Sequence, residues 1–126
     1  MKKNNVKFKN DLKVRIYRYS LKIIKLVDFL DNKGLSAQIL AKQVIRSGTS
    51  IGANIVEAQA GRTRRDFTNY ICYALKSANE TRFWLGLIRD SRKCTGKEID
   101  WLLGETNELC KILSSSILTL KGKKKF

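Results

Sequence analysis

No proline occurs at any of the 126 positions of this chain. Proline removes a backbone donor and clashes with the preceding helical turn, so a chain without it can carry long uninterrupted helices. Apolar residues recur at helical spacing in four segments. In the first, 11–30, Leu12, Ile16, Tyr19, Ile23, Val27 and Leu30 share one side. Val14, Tyr17, Leu21 and Ile24 fall on the opposite side, and Arg15, Arg18, Lys22 and Lys25 form a third stripe between them. A helix on the outside of a monomeric bundle buries one stripe. The second apolar face therefore predicts contact with another subunit in a closed oligomer.

Turn residues at 31–34 predict a break, with Gly34 as a C-cap and Ser36 as the next N-cap. The second helix carries Ala37, Leu40, Ala41, Val44, Gly48, Ile51, Ile55 and Ala58, a stripe rich in small side chains. Gly48 and Gly52 would each cost about 1 kcal/mol against alanine inside a helix, so they predict a close helix approach. The run Ser47-Gly48-Thr49-Ser50-Ile51-Gly52 lacks the Gly-Lys-Ser/Thr ending and the preceding strand of a phosphate loop. Gly61 ends this helix and Thr63, with Asp66 three residues on, opens a third that runs to about position 91. Its core stripe is Phe67, Ile71, Ala74, Ala78, Leu85 and Ile88; Tyr70, Tyr73, Trp84 and Leu87 make a second, aromatic one. Thr95 and Glu98 have the spacing of a capping box ahead of a fourth helix with Ile99, Leu102, Thr106, Leu109, Leu113, Ser116 and Leu120. The whole chain, 1–126, reads as one all-α domain with basic, flexible tails at 1–10 and 121–126.

Charge and missing residue types narrow the function. Lys plus Arg number 26 against 11 Asp plus Glu, a formal charge of +15, far beyond what solubility asks of a small domain. Such an excess calls for a polyanionic partner. The absence of histidine removes the usual general base and every His-ligated metal site. No catalytic residues, metal or cofactor are expected, and the chain reads as non-enzymatic. Cys72, Cys94 and Cys110 are far apart and contain no Cys-x-x-Cys pair, as reduced thiols would be. The longest uncharged run, 47–56, is ten residues, too short to span a membrane. Lys13, Arg15, Arg18 and Lys22 interrupt the apolar stretch near the N-terminus, which excludes a signal peptide there and predicts a cytoplasmic protein.

Residues 1–25 hold nine Lys or Arg and one acid, and 121–125 add four lysines. The stripe of Arg15, Arg18, Lys22 and Lys25 is the first candidate track for RNA or DNA phosphates, read without sequence preference. Arg62, Arg64 and Arg65, next to a helix N-terminus, are the second. The carboxylates Glu57 and Glu80 suggest buried salt bridges, Arg46 for Glu57 and Arg62 or Arg82 for Glu80. A bundle di-iron site would need Glu-x-x-His, which this chain cannot supply. Asn54 is expected to hydrogen-bond between helices, Ser50 has no base to make it a nucleophile, and Trp84 and Trp101 are candidates for interface or core.

The stretch Arg46-Ser47-Gly48-Thr49-Ser50-Ile51-Gly52-Ala53-Asn54-Ile55-Val56-Glu57-Ala58, followed by Arg65-Asp66-Phe67 and by Ser77-Ala78-Asn79-Glu80-Thr81-Arg82-Phe83-Trp84-Leu85, resembles the four-helix bundle protein family. That family includes proteins encoded in 23S ribosomal RNA intervening sequences and is similar to accessory variability proteins of diversity-generating retroelements. The resemblance implies an antiparallel up-and-down bundle, a homopentameric barrel, and a structural motif carried by Arg46, Gly48, Ser50, Gly52, Asn54, Glu57, Glu80 and Trp84. Among the retroelement relatives it implies nucleic-acid binding and a reverse transcriptase partner in mutagenic retrohoming, which is the functional expectation here. The alternative is an intervening-sequence-type scaffold with no defined nucleic-acid role.

Overall fold

The computed structural model describes the backbone of residues 2–122 and the side chains of residues 11–122. Four helices and no strands are found among them: α1 (Lys2–Leu30), α2 (Leu35–Ala60), α3 (Arg64–Asp90) and α4 (Lys97–Leu120). Each packs antiparallel on the next, and α4 returns beside α1 to complete the bundle. The α2–α3 pair is the most extensive and the α1–α4 seam the least. The first helix begins at Lys2 rather than near Asp11. The side chains of 2–10 and the lysines at 123–125 lie outside the described residues.

The core follows the spacing read from the sequence. Leu12, Ile16, Tyr19, Ile23 and Leu30 of α1 meet Ala41, Val44, Ile51 and Ile55 of α2, Ile71, Ala78, Leu85 and Ile88 of α3, and Ile99, Leu102, Leu109 and Leu113 of α4 in one buried cluster. Leu26 joins the α1 stripe, while Val27 packs only at its edge. Gly48 and Gly52 sit directly against α1. A Cβ built on Gly52 would come 2.9 Å from Ile16 Cγ1, and one on Gly48 would come 3.0 Å from Ile23 Cγ2. The small stripe is therefore the α1–α2 contact, and the close approach offsets the helix propensity the glycines give up.

Two hydroxyl pairs lie inside this core. Tyr19 and Thr106 bridge α1 and α4 at 2.5 Å. The Thr106 hydroxyl donates to the Leu102 carbonyl, so Tyr19 is the donor across the seam. Ser47 and Thr81 meet between α2 and α3 at 2.9 Å, both fully buried. Each pair satisfies polar groups that would otherwise cost roughly 1 to 3 kcal/mol.

Helix caps divide into two groups. Thr63 caps α3 as expected, accepting a hydrogen bond from the Asp66 backbone N–H at 3.0 Å, and Gly61 ends α2. The other two caps are corrections. Gly34, at φ 111°, is the N-cap of α2 in place of Ser36 and not a C-cap of α1. Gly96, at φ 102°, caps α4, so Thr95 and Glu98 form no capping box. In both loops the chain needs a positive φ immediately before the helix, which glycine supplies at no steric cost; Ser36, already inside the first turn of α2, and Thr95, one residue ahead of Gly96, are out of position to cap.

Candidate nucleic-acid interface

The α1 basic stripe survives as a stripe, but its four cations have different surroundings. Arg15 is committed to the fold: its Nε donates to Glu105 Oε2 at 2.6 Å and its Nη2 to Glu105 Oε1 at 3.0 Å. The Glu105 side chain is only 12% exposed. That fork-to-carboxylate geometry holds the Arg15 pKa above its usual value, chiefly through the hydrogen bond. Lys22 lies 3.9 Å from Glu98 and 5.4 Å from the centre of the Trp101 ring, a loose ion pair with a cation–π contact. Arg18 and Lys25 are exposed and have no ion pair or side-chain hydrogen bond within the described residues.

The second cluster is reinforced by a contact no local pattern could show. Arg64 Nη2 donates to the Leu120 backbone carbonyl at 2.9 Å, capping the last turn of α4 from the first turn of α3. This bond sets the point where the chain leaves α4, at Lys121, beside Arg62, Arg64 and Arg65. Arg62 and Arg65 are exposed and without a partner in the described residues. Lys22 and Lys25 instead line a groove of about 200 Å³ with Phe29, Cys94 and Glu98, by the α3–α4 loop at the other end of the bundle. The fold thus keeps the two basic clusters apart.

The carboxylate assignments change. Arg46 pairs with Glu80 across α2 and α3, through Nη2 to Oε2, and also donates to Gln43 Oε1 at 2.8 Å. Trp84 Nε1 donates to the same Glu80 at 2.9 Å. Together they hold the Glu80 carboxyl below its usual pKa, with the Arg46 hydrogen bond the largest cause and the Trp84 bond next. Glu57 is exposed, so the Arg46–Glu57 bridge is not formed; three turns along one helix separate the two residues by too much for their side chains to meet. Arg82 donates to Asn107 Oδ1 and Asn79 Oδ1, not to Glu80. Asn54 bonds back to the Ser50 carbonyl within α2, at 2.9 Å, rather than across to another helix. Ser50 is half-buried one turn before it.

Sequence reading missed Glu105, the Ser47–Thr81 pair and the Arg82–Asn79–Asn107 cluster. Arg15 and Glu105 are 90 positions apart, and neither stands out in its own helix. Arg82 and Asn79, three apart on one helix, carried the only local signal of the third.

Among the described residues no group of three or more Cys, Asp or Glu is placed to hold a metal ion, and no helix is long and apolar enough to cross a membrane. The α1 face of Val14, Tyr17, Leu21 and Ile24 is uncovered, with Tyr17 69% exposed. Fold and surface together define a basic, all-helical four-helix bundle with patches of cations that are unpaired among the described residues. Residues 9–115 match the family of the 23S rRNA-intervening sequence protein, and the chain belongs to that family. A solved relative is similar at 38% identity and a TM-score of 0.79, over 86% of this chain and 96% of the other. It is a protein of unknown function from the S23 ribosomal protein family of Bacteroides thetaiotaomicron VPI-5482. No curated protein matches.

Proposed function

We propose that this protein is a non-enzymatic binder of nucleic acid, with RNA as its first target, that contacts phosphates rather than bases and works as a cyclic homo-oligomer in the cytoplasm. One observation carries the reading. Arg18, Lys25, Arg62 and Arg65 are exposed cations with no partner among the described residues, whereas Arg15, Arg46 and Arg89 are each paired with a carboxylate. Cations that serve the fold are neutralised by it; those left over remain available to phosphates. The family name, which refers to an intervening sequence in ribosomal RNA, supports RNA over DNA. It also favours the ribosomal side of the resemblance. A reverse transcriptase partner and a count of five subunits rest on the retroelement resemblance alone. The uncovered α1 face supports self-association, since repeating the cations around a ring multiplies phosphate contacts.

The test is a salt titration of binding to a single-stranded RNA, read by anisotropy, for the wild type and for a variant carrying Arg18→Gln, Lys25→Gln, Arg62→Gln and Arg65→Gln. None of the four side chains has an ion pair or hydrogen bond among the described residues, so the variant is expected to fold, which its circular dichroism checks. The wild type should lose affinity with a log–log slope of about 0.7 for each phosphate neutralised, and the variant should show a shallower slope and weaker binding to unrelated sequences alike. Absence of binding by the wild type at low salt would refute the reading. Sedimentation equilibrium at high salt should show one species heavier than a dimer.

A further inference from the structure

The outer side of the α3–α4 pair carries a cleft that neither basic cluster accounts for. It measures about 540 Å³ and is lined by Asn79 and Arg82 of α3 and by Asn107, Cys110, Lys111 and Ser114 of α4, among others. Its hydrogen bonding is lopsided. Arg82 Nη2 donates to Asn79 Oδ1 at 3.0 Å and Arg82 Nη1 to Asn107 Oδ1 at 3.2 Å, while the Cys110 thiol donates to the same Asn79 oxygen at 3.5 Å. Both amide oxygens are thereby used. Among the described residues the two amide NH2 groups have no partner, nor does the Arg82 Nε–H, and Lys111 adds an ammonium at the rim.

The charge is lopsided as well. Arg82 is held open by neutral amides, unlike Arg15 and Arg46, whose charges a carboxylate cancels. Among the described residues no carboxylate lines the cleft. Glu108, beside it on α4, meets Lys111 at 3.4 Å as an exposed pair of the kind that contributes little. A concave site that offers donors and positive charge, with both of its amide oxygens already accepting from Arg82, is complementary to an oxyanion with several acceptor oxygens.

We propose that this cleft is a phosphate-binding site centred on Arg82 and Lys111, distinct from the α1 and helix-end clusters and not dependent on them. The phosphate can belong to a nucleic-acid strand or be free. A strand has room to continue. Gly86 lies one turn beyond Arg82 on α3 and Gly104 one turn before Asn107 on α4, and a Cβ built on either meets nothing within 4 Å. These helical glycines, unlike Gly48 and Gly52, have no packing reason to be small. In the other direction the α4 stripe of Asn107, Lys111 and Ser114 leads toward Lys121 and the Arg62–Arg64–Arg65 cluster.

The experiment follows the side-chain amide signals of Asn79 and Asn107 by heteronuclear NMR while inorganic phosphate is added at millimolar concentration, with chloride at matched ionic strength as control. Both amides should shift with phosphate and not with chloride. The shifts should vanish in Arg82→Gln/Lys111→Gln and persist in Arg18→Gln/Lys25→Gln/Arg62→Gln/Arg65→Gln, so that failure of the wider nucleic-acid reading and failure of this site are told apart. Unmoved amides in the wild type, or equal movement with chloride, would overturn the proposal. A uridine oligonucleotide of about a dozen residues then identifies the source. If a strand occupies the cleft, the Arg82→Gln/Lys111→Gln variant loses about 0.7 of salt slope for each contact removed. An unchanged slope with the phosphate shifts intact assigns the site to free phosphate.

Discussion

Arg15 of α1 and Glu105 of α4 form a two-point ion pair across the thinnest seam of the bundle, at 2.6 and 3.0 Å. One turn on, the Tyr19–Thr106 hydrogen bond closes the same seam from inside. Arg15→Ala leaves Glu105 half of a pair with little water to replace it, and the expected loss is about 1 to 3 kcal/mol in urea unfolding. Arg15→Lys should recover only part of that, because an ammonium cannot present the planar fork. Full recovery by lysine would show that simple charge, not geometry, holds the seam.

The four glycines inside α2, α3 and α4 should respond to alanine with opposite signs. Gly52→Ala pushes a methyl into Ile16 at 2.9 Å and should cost about 1 to 3 kcal/mol, with Gly52→Leu worse. Gly86→Ala and Gly104→Ala meet open space and should each stabilise by about 0.5 to 1 kcal/mol. Thermal midpoints of the three single alanine variants decide this directly.

Glu80 predicts a pH dependence. Its folded pKa lies below the ordinary glutamate value of about 4.3, so the folded state holds the proton less readily than the unfolded chain. Its contribution is present in full above that ordinary value and is lost as the pH falls toward and through the lowered folded value. Because the side chain is 36% exposed and solvent screens it, the contribution should be under about 1 kcal/mol. Comparing wild type and Glu80→Gln, the difference in stability should be constant at neutral pH and shrink through the acid range.

Thiol reactivity should rank by burial. Cys94 and Cys110 are buried, and desolvation is the main cause that pushes both thiols above their ordinary pKa. Cys72 is only half-buried. Under native conditions at neutral pH iodoacetamide should modify Cys72 first, as read by peptide mass spectrometry, and Cys94 and Cys110 only on unfolding. Early labelling of Cys110 would mean that the α3–α4 cleft opens more than its packing indicates.

Much of the fold was legible in the residues themselves. Stripes such as Ile16–Tyr19–Ile23 and Ile99–Leu102–Thr106 repeat at the helical period, and periodicity is a local property that survives without knowledge of the partner. The loss of proline, the Thr63 cap and the close approach at Gly48 and Gly52 belong to the same class, since each follows from the backbone chemistry of a few neighbouring positions. What only the tertiary structure decided is which charge meets which. Arg46 has Glu57 on its own helix face but pairs with Glu80, because α3 packs against α2 there while eleven residues of helix hold Glu57 out of reach. Arg15 looked like one of four equivalent cations until α4 brought Glu105 to it, and Arg82 became an uncancelled charge because α4 presents Asn107 there instead of an acid. Charge count and spacing are properties of the chain, whereas neutralisation depends on distances of a few ångströms between segments far apart in sequence, and only the packed bundle sets those distances.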